Sequence, residues 1–152
     1  MSRVLVVDDD QASARTLQLH LSAQGHDTAV THDAETGLAT ARELNPDLVI
    51  LDIRMPGRSG LEALPEFRAL QPAPHIIMIT AFHDMDTTIE AMQQGAATYL
   101  QKPLNIDAVR QVVAQQVEKQ ALARRNVELE RRLDERYGFQ GIIGKSAAMQ
   151  RV

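Results

Sequence analysis

The 152 residues contain no cysteine and no tryptophan, and only three Phe and two Tyr. Without thiols there is no disulfide framework, no zinc ribbon and no cysteine nucleophile. So few aromatic side chains leave little surface for stacking nucleic-acid bases. No apolar run approaches the ~18–20 residues of a membrane span. The opening run Val4-Leu5-Val6-Val7 is also far shorter than a signal-peptide core of ~7–15 residues. A cytoplasmic location is expected. A formal charge of −4 gives no general attraction to nucleic acid or acidic membranes. The five histidines, His20, His26, His32, His75 and His83, show no zinc spacing.

What is present reads as an ordinary globular chain, with 44% hydrophobic and 24% charged residues. Three continuous apolar runs are rich in β-branched residues: Val4-Leu5-Val6-Val7, Leu48-Val49-Ile50-Leu51 and Ile76-Ile77-Met78-Ile79. Such runs suit strands covered on both faces, as in a parallel sheet. Two weaker strands fit around 27–31 and 97–101, and helix-period segments fall near 11–24, 34–44, 60–70 and 84–94. Gly25 and Gly95 stand just past two of these helices, where a left-handed residue is expected. Asn45-Pro46 stops a third. Five βα units in series predict an α/β fold of (βα)5 type, a doubly wound, five-stranded parallel sheet with right-handed crossovers.

From 106 to 136 there is no Gly or Pro, and strong helix formers dominate. A helix of that length reaches about 46 Å, more than one face of a small sheet needs. Ile106, Val109, Val112, Val113 and Val117 make a stripe wide enough to pack on a sheet. Beyond them the stripe narrows to Leu122, Asn126, Leu129 and Leu133, spaced four, three and four. This is the seam of a two-stranded coiled coil, with Asn126 placed to fix register. Arg125 and Glu130 then fall at flanking positions where they can pair across a parallel dimer. A solvated charged helix is the plainer alternative. Charge from 118 to 136 is mixed, with six Lys/Arg against five Asp/Glu, so it is no basic patch for DNA.

Chemistry concentrates at strand ends. Asp8, Asp9 and Asp10 follow the first apolar run, and Asp52 follows Leu51. In an open parallel sheet, ligands bind outside the carboxyl ends of the strands, where strand order reverses. Asp8, Asp9 and Asp52 are therefore expected to converge. Carboxylates that close repel unless a proton or cation intervenes, and a hard, water-retaining cation such as Mg²⁺ fits them. Helix capping by the Asp triplet is the competing explanation. It suits Asp10 but leaves Asp52 unexplained. Thr80 closes the Ile76–Ile79 run with a hydroxyl, and Lys102 closes the fifth strand with an ammonium.

These residues resemble the receiver domain of bacterial two-component response regulators, a flavodoxin/CheY-like fold. The matching segments are Val6-Val7-Asp8-Asp9, Leu51-Asp52-Ile53-Arg54-Met55-Pro56-Gly57, Thr80-Ala81 and Tyr99-Leu100-Gln101-Lys102-Pro103. The resemblance implies that Asp52 accepts a phosphoryl group from a histidine kinase. It implies that Asp8, Asp9, Asp52 and the main-chain carbonyl of Arg54 hold Mg²⁺. Thr80 and Lys102 would bind the phosphoryl oxygens, so the domain is a phosphoacceptor and not an enzyme turning over a substrate pool. Thr80 would move toward the phosphoryl group and Tyr99 would turn inward, changing the pairing of the fourth-helix, fifth-strand and fifth-helix face. An ordinary core aromatic is the alternative for Tyr99. The Lys102-Pro103 step is often cis in receivers. Arg54 and Phe82 would flank the path of attacking water, and Phe82 implies slow self-dephosphorylation.

The Asp-Ile-Arg-Met-Pro-Gly run, Thr80-Ala81-Phe82 and the long final helix look most like the NtrC/DctD subfamily of sigma-54-dependent activators. Phe139-Gln140-Gly141-Ile142-Ile143-Gly144-Lys145-Ser146 resembles the opening of their AAA+ ATPase domain. Gly144-Lys145-Ser146 is not a phosphate loop, because its first glycine would fall on Phe139. The expected organisation is a receiver over 1–117, a coiled-coil linker over 118–137 and the start of an AAA+ domain over 138–152. Expected partners are a sensor histidine kinase and a second copy of the chain; this fragment should bind neither nucleic acid nor membrane. Two rival functions remain at this level. A scaffold with a vestigial pocket would not phosphorylate; an aspartate-nucleophile phosphatase would need a second Asp where Arg54 stands.

Overall fold

The computed structural model describes residues 2–123 and 125. It falls into two units, Met1–Val117 and Glu118–Val152. The first unit alternates strand and helix: β1 (Arg3–Val7), α1 (Gln11–Ala23), β2 (Asp27–Thr31), α2 (Ala34–Leu44), β3 (Leu48–Asp52), α3 (Gly60–Arg68), β4 (His75–Thr80), α4 (Met85–Gln93) and β5 (Thr98–Gln101). A 3-10 turn at Phe82–Asp84 leads into α4. A fifth helix, α5, takes up 106–117 at the end of this unit, and the described residues of the second unit, 118–123 and 125, are helical as well.

All strand pairs are parallel, in the order β2-β1-β3-β4-β5. The apolar strands are continuous because each feeds two cores. Leu5, Val7, Val49, Leu51, Ile76 and Met78 face one way, against Leu38, Leu64 and Phe67 of α2 and α3. Val4, Val6, Leu48, Ile50, Ile77 and Ile79 face the other, against Leu17 and Leu21 of α1 and Val109 and Val113 of α5. Successive strand side chains alternate faces, so helices on both sides demand hydrophobic residues at every position. The stripe expected on α5 is borne out by Val109 and Val113, fully buried, with Val112 and Val117 packed beside them.

Helix ends follow local chemistry. Asp10 caps α1, accepting from the Ala12 and Ser13 amides; Asp33 caps α2 through Thr36. Ser59 and Glu62 form a capping box on α3. Gly25 and Gly95 lie at φ 91° and 106°, as their places past α1 and α4 predict. The stop at Asn45-Pro46 differs in detail. Asn45 itself takes the left-handed conformation, φ 50° and ψ 61°, and its amide bonds back to the Ala41 carbonyl. A short amide side chain tolerates that geometry.

Of the expected coiled-coil seam, Leu122 is half-exposed. Asn126, Leu129 and Leu133 lie outside the described residues, as do most of the 118–137 linker and all of 138–152.

Candidate functional site

Strand order reverses between β1 and β3: β1 lies beside both β2 and β3. Helices leave those two strands on opposite faces of the sheet, opening a depression at their carboxyl ends. Asp8 and Asp9 follow β1 there, and Asp52 ends β3. Carboxylate oxygens of the three lie within 4.8 Å of one another. Asp8 and Asp52 are buried, at 0% and 2% exposure, and Asp9 is exposed.

Each buried carboxylate is held on one side. The Asp10 amide donates to Asp8 Oδ1 at 3.0 Å, and the Arg54 amide donates to Asp52 Oδ1 at 3.2 Å. Lys102 Nζ stands 3.0 Å from Asp52 Oδ2. Lys102 arrives there because β5 pairs with β4, and its amide donates to the Thr80 carbonyl at 2.7 Å. The Lys102–Pro103 bond is cis. Asp8 Oδ2 is buried with no hydrogen-bond donor. Burial, together with the Asp52 carboxylate beside it, pushes the Asp8 carboxyl up to about 7. Burial works against the Lys102 charge, but its bond to Asp52 and the nearby charges of Asp8 and Asp9 prevail and raise its pKa.

Three carboxylates this close, one of them with a buried oxygen that has no donor, are a set of hard oxygen ligands short of positive charge. The residues therefore fit a divalent cation. Asp10 does not join them: its carboxylate caps α1 and binds Ser13 Oγ at 3.0 Å.

Thr80 ends β4 beside this cluster, with its hydroxyl 2.6 Å from Thr88 Oγ1 and 3.1 Å from the Ala81 carbonyl oxygen. Tyr99 is 39% exposed, which overturns the alternative of an ordinary core aromatic; on β5 only Leu100 turns inward to the core. The side chain of Phe82 lies outside the described residues.

Three residues here escaped sequence reasoning. Asp84, read only as a helix start, sends its buried carboxylate to Arg54 instead of capping α4. The Arg54 guanidinium holds that carboxyl below its usual range. Thr88 meets Thr80 from α4. Gly60 lies so close to β3 that a Cβ there would stand 2.1 Å from the Asp52 carbonyl oxygen and 2.9 Å from its carbon. The glycine itself was visible in the sequence; the backbone it must let pass was not.

Residues 4–114 match the family model described as "Response regulator receiver domain". The regulatory protein AtoC of Escherichia coli K12 is 30% identical over 98% of this chain. The transcriptional regulatory protein ZraR of Salmonella typhimurium is 37% identical over 97%. The chain spans about a third (32%) of the length of each. Among solved structures, NtrX from Brucella abortus superposes with a TM-score of 0.80 at 31% identity, covering 84% of this chain and 29% of that one. A receiver domain protein from Clostridium thermocellum gives 0.76 at 27% identity, covering 81% and 99%.

Proposed function

The chain belongs to the response regulator receiver domain family, and from that premise we propose that Asp52 is its phosphoacceptor, served by Asp8, Asp9, Thr80 and Lys102. The observation that carries this reading is the meeting of three carboxylates within 4.8 Å with Lys102 Nζ on Asp52 Oδ2. An Asp52 carboxylate oxygen attacks the phosphorus of a phosphohistidine on a sensor kinase. The P–N bond breaks, and the imidazole leaves with its electron pair and takes up a proton. Such transfers depend on in-line positioning and on neutralising oxygen charge. Lys102 supplies a fixed ammonium, and Thr80 donates a hydrogen bond to a phosphoryl oxygen once its hydroxyl turns. Asp8, Asp9, Asp52 and the Arg54 carbonyl would hold Mg²⁺, which supplies positive charge to the phosphoryl oxygens.

The test is incubation with acetyl phosphate and Mg²⁺ followed by intact mass measurement. A gain of about 80 Da, one phosphoryl group, is expected and should vanish in Asp52→Asn. No gain in the parent protein would favour the vestigial scaffold; steady release of phosphate from added esters would favour the phosphatase. Arg54 argues against the latter, since it stands where that chemistry needs an acid.

Phosphorylation would bias two packings of one domain. With Ile89 and Tyr99 exposed on α4 and β5, the α4–β5–α5 face and the linker helix are the proposed homodimer contacts. Through them the receiver would control a sigma-54 activator ATPase domain in a longer, cytoplasmic regulator. No described helix is long and apolar enough to cross a membrane. Light scattering with and without beryllofluoride and Mg²⁺ tests the dimer. A change in mass is expected, and Asp52→Asn should remove it.

A further inference from the structure

Thr88 lies inside α4, where a threonine is a costly choice. Its β-branch loses rotamer freedom against the preceding turn, and its hydroxyl must be satisfied because the side chain is only 1% exposed. Alanine would fill a buried helical position at lower cost in helix propensity. What the hydroxyl adds is a contact on the neighbouring strand. Thr88 Oγ1 stands 2.6 Å from Thr80 Oγ1 and 2.9 Å from the Asp84 carbonyl oxygen.

Thr80, equally buried, has Ala81 O as its other partner, at 3.1 Å. Each hydroxyl carries a single proton. With the Thr80 proton given to the Ala81 carbonyl, the Thr88 proton is shared between Thr80 Oγ1 and the Asp84 carbonyl oxygen, the nearer of the two being Thr80. The proton of Thr80 and one of its lone pairs are then engaged, and neither partner is Asp52. A phosphoryl oxygen on Asp52 must compete for that same Thr80 proton.

From this arrangement we infer that Thr88 is a positioning residue that holds the Thr80 hydroxyl in its resting place and thereby sets how readily the domain answers a phosphoryl group. The inference rests on Asp52 as the phosphoacceptor. The latch is local: it joins α4 to the end of β4 through one hydrogen bond between two side chains eight residues apart. Breaking it frees Thr80 to turn without altering the carboxylates, Lys102 or the main chain around Asp52.

The experiment measures the affinity of the full chain for beryllofluoride with saturating Mg²⁺. Thr88→Val keeps the shape and removes the hydroxyl. It should tighten binding about three- to ten-fold, the range a single released hydrogen bond corresponds to. Thr88→Ser, which restores the donor, should return the affinity to that of the parent. In a Thr80→Ala background the Thr88→Val change should have no effect. Unchanged or weaker binding in Thr88→Val overturns the latch. So does tightening that persists without the Thr80 hydroxyl, because packing alone would then explain it. Thr88→Ala replaces Thr88→Val if the latter loses its cooperative melt. Parent protein whose binding is absent, or survives Asp52→Asn, overturns the phosphoacceptor reading itself, a result distinct from failure of the latch alone.

Discussion

Arg54 and Asp84 meet across the rim of the acidic pocket, thirty residues apart in sequence. Arg54 Nε lies 2.8 and 2.7 Å from the two Asp84 carboxylate oxygens, and a terminal guanidinium nitrogen lies 2.6 Å from Oδ1. The pair differs in exposure: the Asp84 side chain is 5% exposed and that of Arg54 68%. A buried carboxylate thus fixes a mostly solvated cation beside a depression of about 500 Å³ that Asp9 and Thr87 also line. The loop after β3 and the turn before α4 are tied together by it.

Asp84→Asn should lower stability by about 1 kcal/mol in chemical denaturation. That is below the roughly 1.5–3 kcal/mol of a hydrogen bond to a charged group, because water screens the exposed Arg54. Freed from Asp84, Arg54 loses its fixed place on the rim of that depression. Phospho-Asp52 is therefore expected to lose its phosphoryl group faster, followed by the decay of the modified mass. Arg54→Gln removes the same contact, so the double variant should cost less stability than the two single losses added together.

Asp8 makes the pocket sensitive to pH. Folded Asp8 keeps its proton up to about pH 7, against 3.8 for the ordinary carboxyl. Between those values the folded, metal-free chain holds a proton that the unfolded chain has lost. This contribution to stability is present in mild acid and disappears as pH rises through about 7. Burial and Asp52 favour that proton, and the Asp10 amide and, less strongly, Lys102 oppose it. A divalent cation competes for the same carboxylate. Mg²⁺ affinity measured by calorimetry should accordingly be about tenfold weaker at pH 6 than at pH 8, the ratio set by one proton with a pKa near 7. Asp8→Asn should weaken binding and flatten that dependence.

Gly60 is expected to tolerate no side chain. The Cβ of Gly60→Ala would press on the Asp52 carbonyl, and main chain does not yield as a flexible side chain would. Either α3 or the end of β3 must shift, at a cost of about 1–3 kcal/mol. Because β3 ends in Asp52, the proposed phosphoacceptor, labelling by acetyl phosphate should fall as well. Stability and labelling unchanged together would show that α3 moves away freely.

Much of the fold was legible beforehand because its signals are local and repeated. A strand covered on both faces must be apolar at every position, so Leu48-Val49-Ile50-Leu51 announced β3 and the parallel sheet together. The stripe Val109, Val113 and Val117 announced which face of α5 turns inward. Asp8, Asp9, Asp52, Thr80 and Lys102 were legible as a set because each stands at or just past the carboxyl end of a strand, and those ends in a doubly wound sheet share one edge. Asp84 and Thr88 had no such marker. Each sits in an amphipathic segment whose pattern says only which way it faces, and an acid or a threonine near a helix start has a local explanation that needs no distant partner.

The chain order of charges and apolar runs was sufficient by itself to determine the α/β architecture and to bring an acidic cluster and a lysine to one edge, because hydrophobic burial and strand polarity leave few other arrangements. Packing of α3 and α4 against the sheet decided the rest: that Gly60 brushes the Asp52 carbonyl, that Asp84 reaches Arg54, and that Thr88 holds the Thr80 hydroxyl. Those contacts join residues whose spacing carries no period, and they exist only once separate elements have docked to within hydrogen-bonding distance.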